Sequence, residues 1–361
     1  LYKSYGYHCY YWPGIVLLHH STVVPMPLYH PGTWLHGWAA LRGWHQGVKS
    51  MQALLDKTQA DLVHLNSMPL SNAAWALNRI GFPYVWHVRE PPPDQGIRTR
   101  IIRRLMHIAP KMIFISRTDR RHWMKSESGE VLYNYVNFRV FDKNLNKLHA
   151  RETLEVRKDC LVLLYMGGFS VLKGILVLLH ALAKLKDLPF RVLMPATVYE
   201  SRHPSRKVRI ARRLLPRLGS GTQTQKAERL IQKHGLDDYL LRLPYTDSPA
   251  HLFAASDLLL FPAIRPHFPR PVIEAGAMAK PSIASDLEGA REVMEHQKSG
   301  WLVSAGSPDA LASAIRYLLD RPSLRGFLGS KAYERAYREH ELHTQIKKLE
   351  AIYHSMESDS P

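Results

Sequence analysis

The hydrophobic pattern of this chain alternates short apolar runs with amphipathic segments, the order typical of strands and helices in a parallel α/β sheet. In the first half, the pattern predicts strands over 60–67, 83–88, 111–116 and 130–136, and helices over 31–57, 70–80, 97–108 and 117–125. In the second half, it predicts strands over 160–166, 190–194, 239–243, 257–262 and 281–285, and helices after 174 and over 201–217, 227–234, 272–279, 309–319, 324–338 and 342–356. The fold class predicted is therefore α/β.

The length and the polar segment near the middle predict two domains. The 361 residues, 45% of them hydrophobic, are enough for two ordinary cores. We expect a first domain over 1–142, a linker over 143–159, where the chain is polar and charged without a clear period, and a second domain over 160–340. No run reaches the ~20 apolar residues of a spanning helix. The two cysteines, Cys9 and Cys160, form no disulfide framework, so we expect a cytoplasmic protein.

The positive charge is concentrated in two segments. The net charge is +18, and residues 98–125 hold nine basic side chains against one acidic one, while residues 201–217 hold seven basic side chains and no acidic one. Such local charge indicates an anionic partner, with phosphate on lipid, nucleotide or nucleic acid as the candidate. We expect the helix over 97–108 to bury Ile97, Ile101, Leu105 and Ile108 and to present Arg100, Arg103 and Arg104 to an acceptor or an anionic membrane surface.

Two stretches of the second half carry the chemistry of a phosphate site. Gly167 and Gly168 follow a fully apolar strand, where glycines let the backbone approach a phosphate, and Lys173 stands at the start of the next helix. Pro271 can begin a helix and leave neighbouring amides free for an anion. Glu274, one turn further, can accept hydrogen bonds from a sugar diol, or it can simply complement the helix dipole.

The stretch from Leu258 to Val303 resembles the nucleotide-sugar site of family-4 glycosyltransferases, group 1 type, of bacterial polysaccharide and glycolipid biosynthesis. Their motif has two glutamates eight positions apart, a Lys/Gly-Pro before a strand and a Gly-x-x-Glu; here Glu274, Lys280-Pro281, and Gly289 with Glu292 match it. The resemblance implies the GT-B fold, two Rossmann-like domains with a cleft between them, and a final segment, 341–361, that packs back on the first domain. It also implies a retaining, hexosyltransferase-type transfer from a UDP- or GDP-sugar to a saccharide or lipid-linked acceptor.

The same resemblance assigns the site residues. His87, in the sequence HVRE, corresponds to the histidine that reaches the transferred sugar, and it and Glu274 are the catalytic candidates. The donor-binding candidates are Gly167, Gly168, Lys173, Tyr245, Phe268, Arg270, Pro271, Val272 and Glu274. Neither a metal nor a cofactor is implied, because Lys173 and the helix amides after Pro269 would neutralise the leaving diphosphate.

Three departures from the family pattern bear on activity. Pro266 stands where the first glutamate is expected, and Gly168 replaces an arginine of the glycine turn. We expect Arg270 either to compensate for that arginine or to point to solvent. The chain also lacks the family's first strand and its glycine turn, so we expect a fragment with a gap in the first sheet.

Two alternatives follow from these departures and from the charge: a catalytically impaired GT-B homologue, or a basic nucleic-acid-binding protein. Nucleic acid is not the expected partner, because the chain has no aromatic and basic RNA-binding motif and its charge lies in two helices rather than along an element that reads a groove.

Overall fold

The computed structural model describes residues 15–18, 48–49, 51–58, 60–92, 96–124, 126–156, 160–196 and 223–358. The chain divides into two compact units. The first contains its described residues up to Asn134 and from Gln345 onward, and the second runs from Tyr135 to Thr344. Most of the helix predicted over 31–57, and all of the helix predicted over 201–217, lie outside the described residues. Within the described ranges, no helix is both long and apolar enough to cross a membrane.

The first unit contains a five-stranded parallel sheet. Its strands are β1 (Ile15–Leu18), β2 (Leu62–Leu65), β3 (Tyr84–Val88), β4 (Lys111–Phe114) and β5 (Glu130–Val131), and its helices include α1 (Ser71–Ile80), α2 (Ile97–His107) and α3 (Arg117–Met124). The strand order is β1-β2-β3-β4-β5, so each strand pairs with the next one along the chain. The gap expected in this sheet is therefore absent from its described part.

All five residues of β3 are buried, as expected for a parallel strand covered on both faces. On one face, Tyr84 and Trp86 pack into the larger core of the unit. On the other face, Val85 joins a smaller core that includes Ile352 and Tyr353 of the last helix. The last helix therefore covers one face of the first sheet.

The predicted apolar face of α2 is wrong for three of its four residues. The side chains of Ile97, Ile101 and Ile108 are 64%, 37% and 61% exposed, whereas Ile102 and Met106 are buried. The helix has apolar residues on more than one face, and the row that contains Ile102 and Met106 faces the core. The predicted role of Arg103 changes as well, because its guanidinium donates to the carbonyl oxygens of His122 (2.9 Å) and Trp123 (3.1 Å) at the end of α3.

The second unit contains a six-stranded sheet with helices around it. Its strands are β6 (Leu161–Leu164), β7 (Phe190–Pro195), β8 (Leu240–Leu243), β9 (Leu258–Phe261), β10 (Ser282–Ser285) and β11 (Trp301–Val303). Its helices are α4 (Lys147–Thr153), α5 (Ile175–Ala183), α6 (Gln223–His234), α7 (Ala250–Ala255), α8 (Arg270–Ala277), α9 (Glu288–Val293), α10 (Pro308–Leu319) and α11 (Pro322–His340). The last helix, α12 (Leu342–Ser358), belongs to the first unit from Gln345 onward.

The strand order of the second sheet, β11-β10-β9-β6-β7-β8, reverses direction between β6 and β9. The chain builds outward from β6 through β7 to β8, and then from β9 through β10 to β11 on the other side. In open α/β sheets, ligands bind outside the carboxyl ends of the strands at such a switch point. The topology therefore directs attention to the loops that follow β6 and β9.

The segment predicted as a linker over 143–159 contains α4, which corrects that prediction. Arg151 of this helix is buried, and its guanidinium donates to Asp257 at 2.6 Å and to the Ala255 carbonyl oxygen at 3.0 Å. Asp257 also accepts from the amide of Val162 at 2.8 Å. Arg151 looks solvated in the sequence, but it belongs to the packing of the second unit.

Candidate functional site

The loops after β6 and β9 lie against each other at the switch point. The amide of Ile264 donates to the carbonyl oxygen of Leu172 at 3.1 Å. Gly174 has φ of 83°, and a Cβ at this position would lie 1.7 Å from the carbonyl oxygen of Pro262. Only glycine fits there, because both its backbone conformation and its close approach to Pro262 exclude a side chain. This contact joins the glycine turn to the loop that carries the second half of the motif.

The glycine turn itself is closed around a tyrosine. Gly167 and Gly168 are buried, and a Cβ on Gly167 would lie 2.1 Å from the hydroxyl oxygen of Tyr165. The Tyr165 hydroxyl donates to the carbonyl oxygen of Lys173 at 3.1 Å. The tyrosine therefore fixes the backbone of Lys173, which the sequence placed at the start of the following helix.

Glu274 lies close to two cations. Its side chain is buried, with 7% of the residue exposed, and Nε of Arg270 lies 2.9 Å from its Oε1. Burial raises the pKa of Glu274, while the charges of Arg270 and Lys173 oppose that rise. The structure thus brings Lys173, Arg270 and Glu274 together. We expected Arg270 either to compensate for the arginine that Gly168 replaces or to point to solvent. Instead, Arg270 pairs with Glu274, and its side chain is 37% exposed.

Two of the amides predicted to be free at the start of α8 have partners within the turn. The amide of Arg270 donates to the Phe268 carbonyl oxygen at 3.1 Å, and the amide of Val272 donates to the Pro269 carbonyl oxygen at 2.9 Å. Pro271, between them, has no N–H, and the helix begins at Arg270 rather than at the proline. The first turn therefore uses two of the amides that were predicted to face an anion.

The other predicted donor residues divide into two groups. Phe268, just before α8, and Val272, within it, are buried, and the ring of Phe268 lies 5.9 Å from that of His340. Tyr245 follows β8, which two strands separate from β9 in the sheet order. The switch point therefore gathers the glycine turn, Lys173 and the start of α8, whereas Tyr245 lies on another loop.

His267 is a residue of this site that the sequence interpretation missed. It is half-buried, its Nδ1 lies 3.1 Å from the Arg265 carbonyl oxygen, and its ring centroid lies 5.1 Å from that of Phe261. Burial lowers the pKa of His267, and the charge of Lys173 lowers it further. Its place directly after Pro266, where the resembling family has its first glutamate, is the signal that could have identified it.

The first unit places His87 at the carboxyl end of β3 beside a second histidine. His87 is buried, and the burial, with Arg89 and His64 contributing, holds its pKa well below 6.5. The ring of His64, on β2, lies 5.5 Å from that of His87, and its Nδ1 lies 2.6 Å from the Tyr353 hydroxyl oxygen. The sequence interpretation missed His64, although it lies one residue before the end of β2.

A polar network holds the ends of β2 and β3 together. The carboxylate of Glu90 accepts from the Ser67 hydroxyl at 2.5 Å and from the Met68 amide at 2.8 Å. The guanidinium of Arg89 donates to the side-chain oxygens of Asn66, at 3.2 Å, and of Asn134. Because parallel strands end at one edge of the sheet, these residues lie together as their positions in the sequence predict.

The remaining predicted residues, Arg100, Arg103 and Arg104, all lie on α2. Arg100 and Arg104 are exposed, whereas Arg103 is half-buried against α3. Among the described residues, no group of three or more His, Cys, Asp and Glu side chains is placed to hold a metal ion. Independence from metal stays a prediction.

Two parallel Rossmann-like sheets in one chain define the GT-B class of folds, which confirms the predicted fold class. Solved structures share it. A glycosyltransferase from Rickettsia africae matches with a TM-score of 0.73 and 23% identity, over 88% of this chain and 83% of that one. Anabaena HepE in complex with UDP-glucose matches with a TM-score of 0.73 and 20% identity, over 86% of this chain and 82% of that one.

The family of glycosyl transferases group 1 matches residues 146–335, more than half of the chain, and the chain belongs to this family. The N-acetyl-alpha-D-glucosaminyl L-malate synthase of Bacillus anthracis is 22% identical over 231 residues, which cover 64% of this chain and 54% of that protein. The chain spans about half the length of the first curated relatives it matches. The predicted membership in group 1 is confirmed.

Proposed function

We propose that this protein transfers a hexosyl unit from a UDP- or GDP-sugar to a hydroxyl of a saccharide or lipid-linked acceptor, with retention of the anomeric configuration. The observation that carries the proposal is the gathering of Lys173, Arg270 and Glu274 beside a glycine turn at the switch point of the second sheet. Two cations and one carboxylate match a nucleoside diphosphate, which offers phosphate oxygens and a ribose diol.

In the proposed reaction, the bond between the anomeric carbon and the diphosphate oxygen breaks, and a bond from that carbon to the acceptor oxygen forms on the same face. The acceptor proton leaves with the diphosphate. Lys173 and Arg270 stabilise the negative charge that grows on the leaving oxygens. Glu274 accepts hydrogen bonds from the ribose, and His87 contacts the sugar. Since the first amides of α8 are paired, these side chains take the larger share of the charge.

The donor panel that tests this proposal begins with UDP-glucose, because HepE binds it, and continues with UDP-N-acetylglucosamine and GDP-mannose. We expect release of the nucleoside diphosphate from one of them, undiminished by a chelator because the proposed chemistry uses no metal. The anomeric configuration of the product, measured by NMR, tests retention. If no donor binds in calorimetry, the proposal is wrong. Binding without turnover would favour the catalytically impaired homologue and contradict the proposed transfer.

A second observation favours attachment to an anionic membrane, where a lipid-linked acceptor would be found. The exposed face of α2 carries Ile97 and Ile101 together with Arg100 and Arg104, and Ile108, directly after the helix, is exposed as well. These positions follow helical spacing, so isoleucine and arginine share one stripe. A surface of this kind inserts apolar side chains between lipid headgroups while its basic residues pair with phosphate.

Flotation with vesicles that contain phosphatidylserine tests the membrane proposal. Each basic residue near such a surface contributes about 1 kcal/mol, so we expect Arg100→Glu and Arg104→Glu each to weaken binding and Ile101→Ser to weaken it at every salt concentration. Leu148→Ser, at an exposed leucine of α4, is the matched control. The proposal is contradicted if the protein does not bind vesicles at low salt. It is also contradicted if the protein binds DNA but not vesicles, and the α2 variants abolish the DNA binding.

A further inference from the structure

His267 is held at the switch point by its neighbours on several elements. Its ring centroid lies 5.1 Å from that of Phe261, the last residue of β9. Its carbonyl oxygen approaches α9 so closely that a Cβ on Gly289 would lie 2.3 Å from it, so only glycine fits there. The charge of Lys173, in the loop after β6, acts on the ring. His267 therefore lies near the lysine of the glycine turn, in a loop packed against α9.

The tautomer of His267 follows from one hydrogen bond. Nδ1 lies 3.1 Å from the carbonyl oxygen of Arg265, which can only accept, so the proton of the neutral ring is on Nδ1. Nε2 then carries a lone pair, and no partner for it is found in the part of the chain that the structure describes. Because the ring is only half-buried, Nε2 is the atom that can take up a proton and bind a ligand.

The charges gathered at the switch point do not balance a diphosphate. With the carboxylate of Glu274 ionised, Lys173, Arg270 and Glu274 together carry one net positive charge. The diphosphate of a nucleotide sugar carries two negative charges, and Gly168 stands where the resembling family has a further arginine. Charges that leave water need partners of opposite sign. One more positive charge would balance the ligand, and a protonated His267 would supply it.

We propose that His267 is a further diphosphate-binding residue, which is neutral in the free protein and takes up one proton from solvent when a nucleotide sugar binds. The Nε2–H formed in this way donates a hydrogen bond to a phosphate oxygen, while Nδ1 keeps its bond to Arg265. Burial and the charge of Lys173 lower the pKa of His267 in the free protein, and phosphate oxygens beside Lys173 offset that charge. The inference rests on the proposed function, because it takes the diphosphate to lie beside Lys173.

Glu274 is the other group of this site that could take up the proton. Burial raises the pKa of its carboxyl group, and the charges of Arg270 and Lys173, which a diphosphate would offset, oppose that rise. The test must therefore separate Glu274 from His267. The variants that do so leave in place the other charged groups of the elements packed against His267, namely Arg265, Arg270, Asp286, Glu288, Arg291 and Glu292.

Calorimetry with UDP-glucose, or with GDP-mannose if the donor panel selects it, counts the protons. Titrations at pH 6.5 in two buffers of different ionisation enthalpy give the number taken up, and the phosphates of a nucleotide sugar stay ionised throughout. We expect uptake in the wild type and in Glu274→Gln. We expect none in His267→Asn, whose amide can keep the bond to Arg265 but cannot titrate.

His234→Asn is the matched control, and it should take up protons as the wild type does. Burial and nearby lysines lower the pKa of His234 as well. It lies at the end of α6, ahead of β8, and therefore at the amino edge of the sheet, away from the switch point.

Affinity gives a second readout. Binding that takes up a proton tightens as the pH falls through the pKa of the bound histidine, by at most about tenfold per pH unit. We expect the Kd of the wild type to fall between pH 8 and pH 6, and His267→Asn to lose most of that fall. Nitrogen-15 NMR of the wild-type histidine rings, with and without the ligand, should show the pKa of one ring rising on binding.

The inference is overturned if the wild type binds the nucleotide sugar without taking up a proton, or if His267→Asn takes up as many protons as the wild type. It is also overturned if Glu274→Gln abolishes the uptake, because the proton then belongs to the carboxyl group. A protein that binds no nucleotide sugar would contradict the proposed function and this inference with it, whereas binding without uptake contradicts the inference alone.

Discussion

Each unit has a cluster of candidate residues near the carboxyl ends of its parallel strands, which we call its half-site, and the two half-sites differ in charge. The second unit gathers charged side chains, Lys173, Arg270 and Glu274. The first unit buries two neutral histidines, His64 and His87. A buried charge needs a partner of opposite sign, whereas a neutral imidazole needs only hydrogen bonds. On the proposed function, we therefore expect the second unit to bind the diphosphate and the first unit to contact sugar hydroxyls.

The largest effect is expected at Lys173. Lys173→Ala removes a cation from the leaving diphosphate, and loss of one such stabilising group lowers kcat by about 10²–10³-fold. Steady-state kinetics with the best donor measures it. Lys186→Ala is the control, since Nζ of Lys186 donates to the His234 carbonyl oxygen at 3.0 Å on the surface of the same unit. If Lys173→Ala keeps the wild-type kcat, the proposed role of the charged half-site in stabilising the leaving diphosphate is wrong.

Arg270 should affect both binding and stability. Arg270→Ala should weaken binding of the nucleoside diphosphate by roughly 1.5–3 kcal/mol, the range for hydrogen bonds to charged groups, and Arg270→Lys should restore only part, because lysine cannot form a bidentate contact.

The same change leaves the buried Glu274 carboxylate without its hydrogen-bonded partner. Arg270→Ala should therefore also lower the free energy of unfolding, and Glu274→Gln in that background should recover it. Titration calorimetry and urea unfolding measure the two effects. If Arg270→Ala binds the nucleoside diphosphate as tightly as the wild type does, Arg270 has only the structural role.

The neutral half-site should lower the free energy of unfolding in acid. In the unfolded chain, a histidine binds its proton near pH 6.5, whereas folded His64 does so only near pH 3. Below pH 6.5 the unfolded state therefore holds more protons, and the free energy of unfolding should fall by about 1.4 kcal/mol per pH unit for each such histidine. Urea unfolding at pH 6.5 and 5.0 measures the fall, which His64→Gln should reduce and His180→Gln, at an exposed position, should not. An equal fall in all three proteins would show that His64 is not held neutral.

The smallest effect is expected inside the glycine turn. Tyr165→Phe removes the hydroxyl that donates to the Lys173 carbonyl oxygen, and should lower the free energy of unfolding by about 1 kcal/mol and weaken donor binding slightly. Tyr239→Phe loses a comparable bond, 2.9 Å to the Lys186 carbonyl oxygen, on an exposed surface, and should leave donor binding unchanged. Equal donor affinities in the two variants would show that Tyr165 does not position Lys173.

The fold class, and the residues that meet at the switch point, could be predicted because they depend on local pattern. Strands such as β6 and β9 are apolar throughout since both faces of a parallel sheet are covered. The glycine turn comes shortly after β6 in the sequence, and Glu274 lies on α8, the helix that follows β9. The group 1 family, predicted from the same stretch, is confirmed.

The features that could not be predicted depend on tertiary contacts. The buried face of α2 was ambiguous because apolar residues occur around the helix, and only its packing selects Ile102 over Ile101. The partner of His64 is Tyr353, 289 positions away, and no local pattern reports such a contact. The pairing of Arg270 with Glu274 is different, since their spacing of four on a helix already indicates it.

Our account assigns the diphosphate to the charged half-site and the sugar to the neutral one. Calorimetric titration with UDP and with UDP-glucose tests this division most directly. If the protein uses another donor, that nucleotide sugar and its nucleoside diphosphate take their place. Our account predicts that Lys173→Ala weakens binding of both ligands, whereas His87→Ala weakens binding of the nucleotide sugar and leaves the affinity for the nucleoside diphosphate unchanged. Unchanged affinity for the diphosphate in Lys173→Ala, or equal losses for both ligands in His87→Ala, would contradict it.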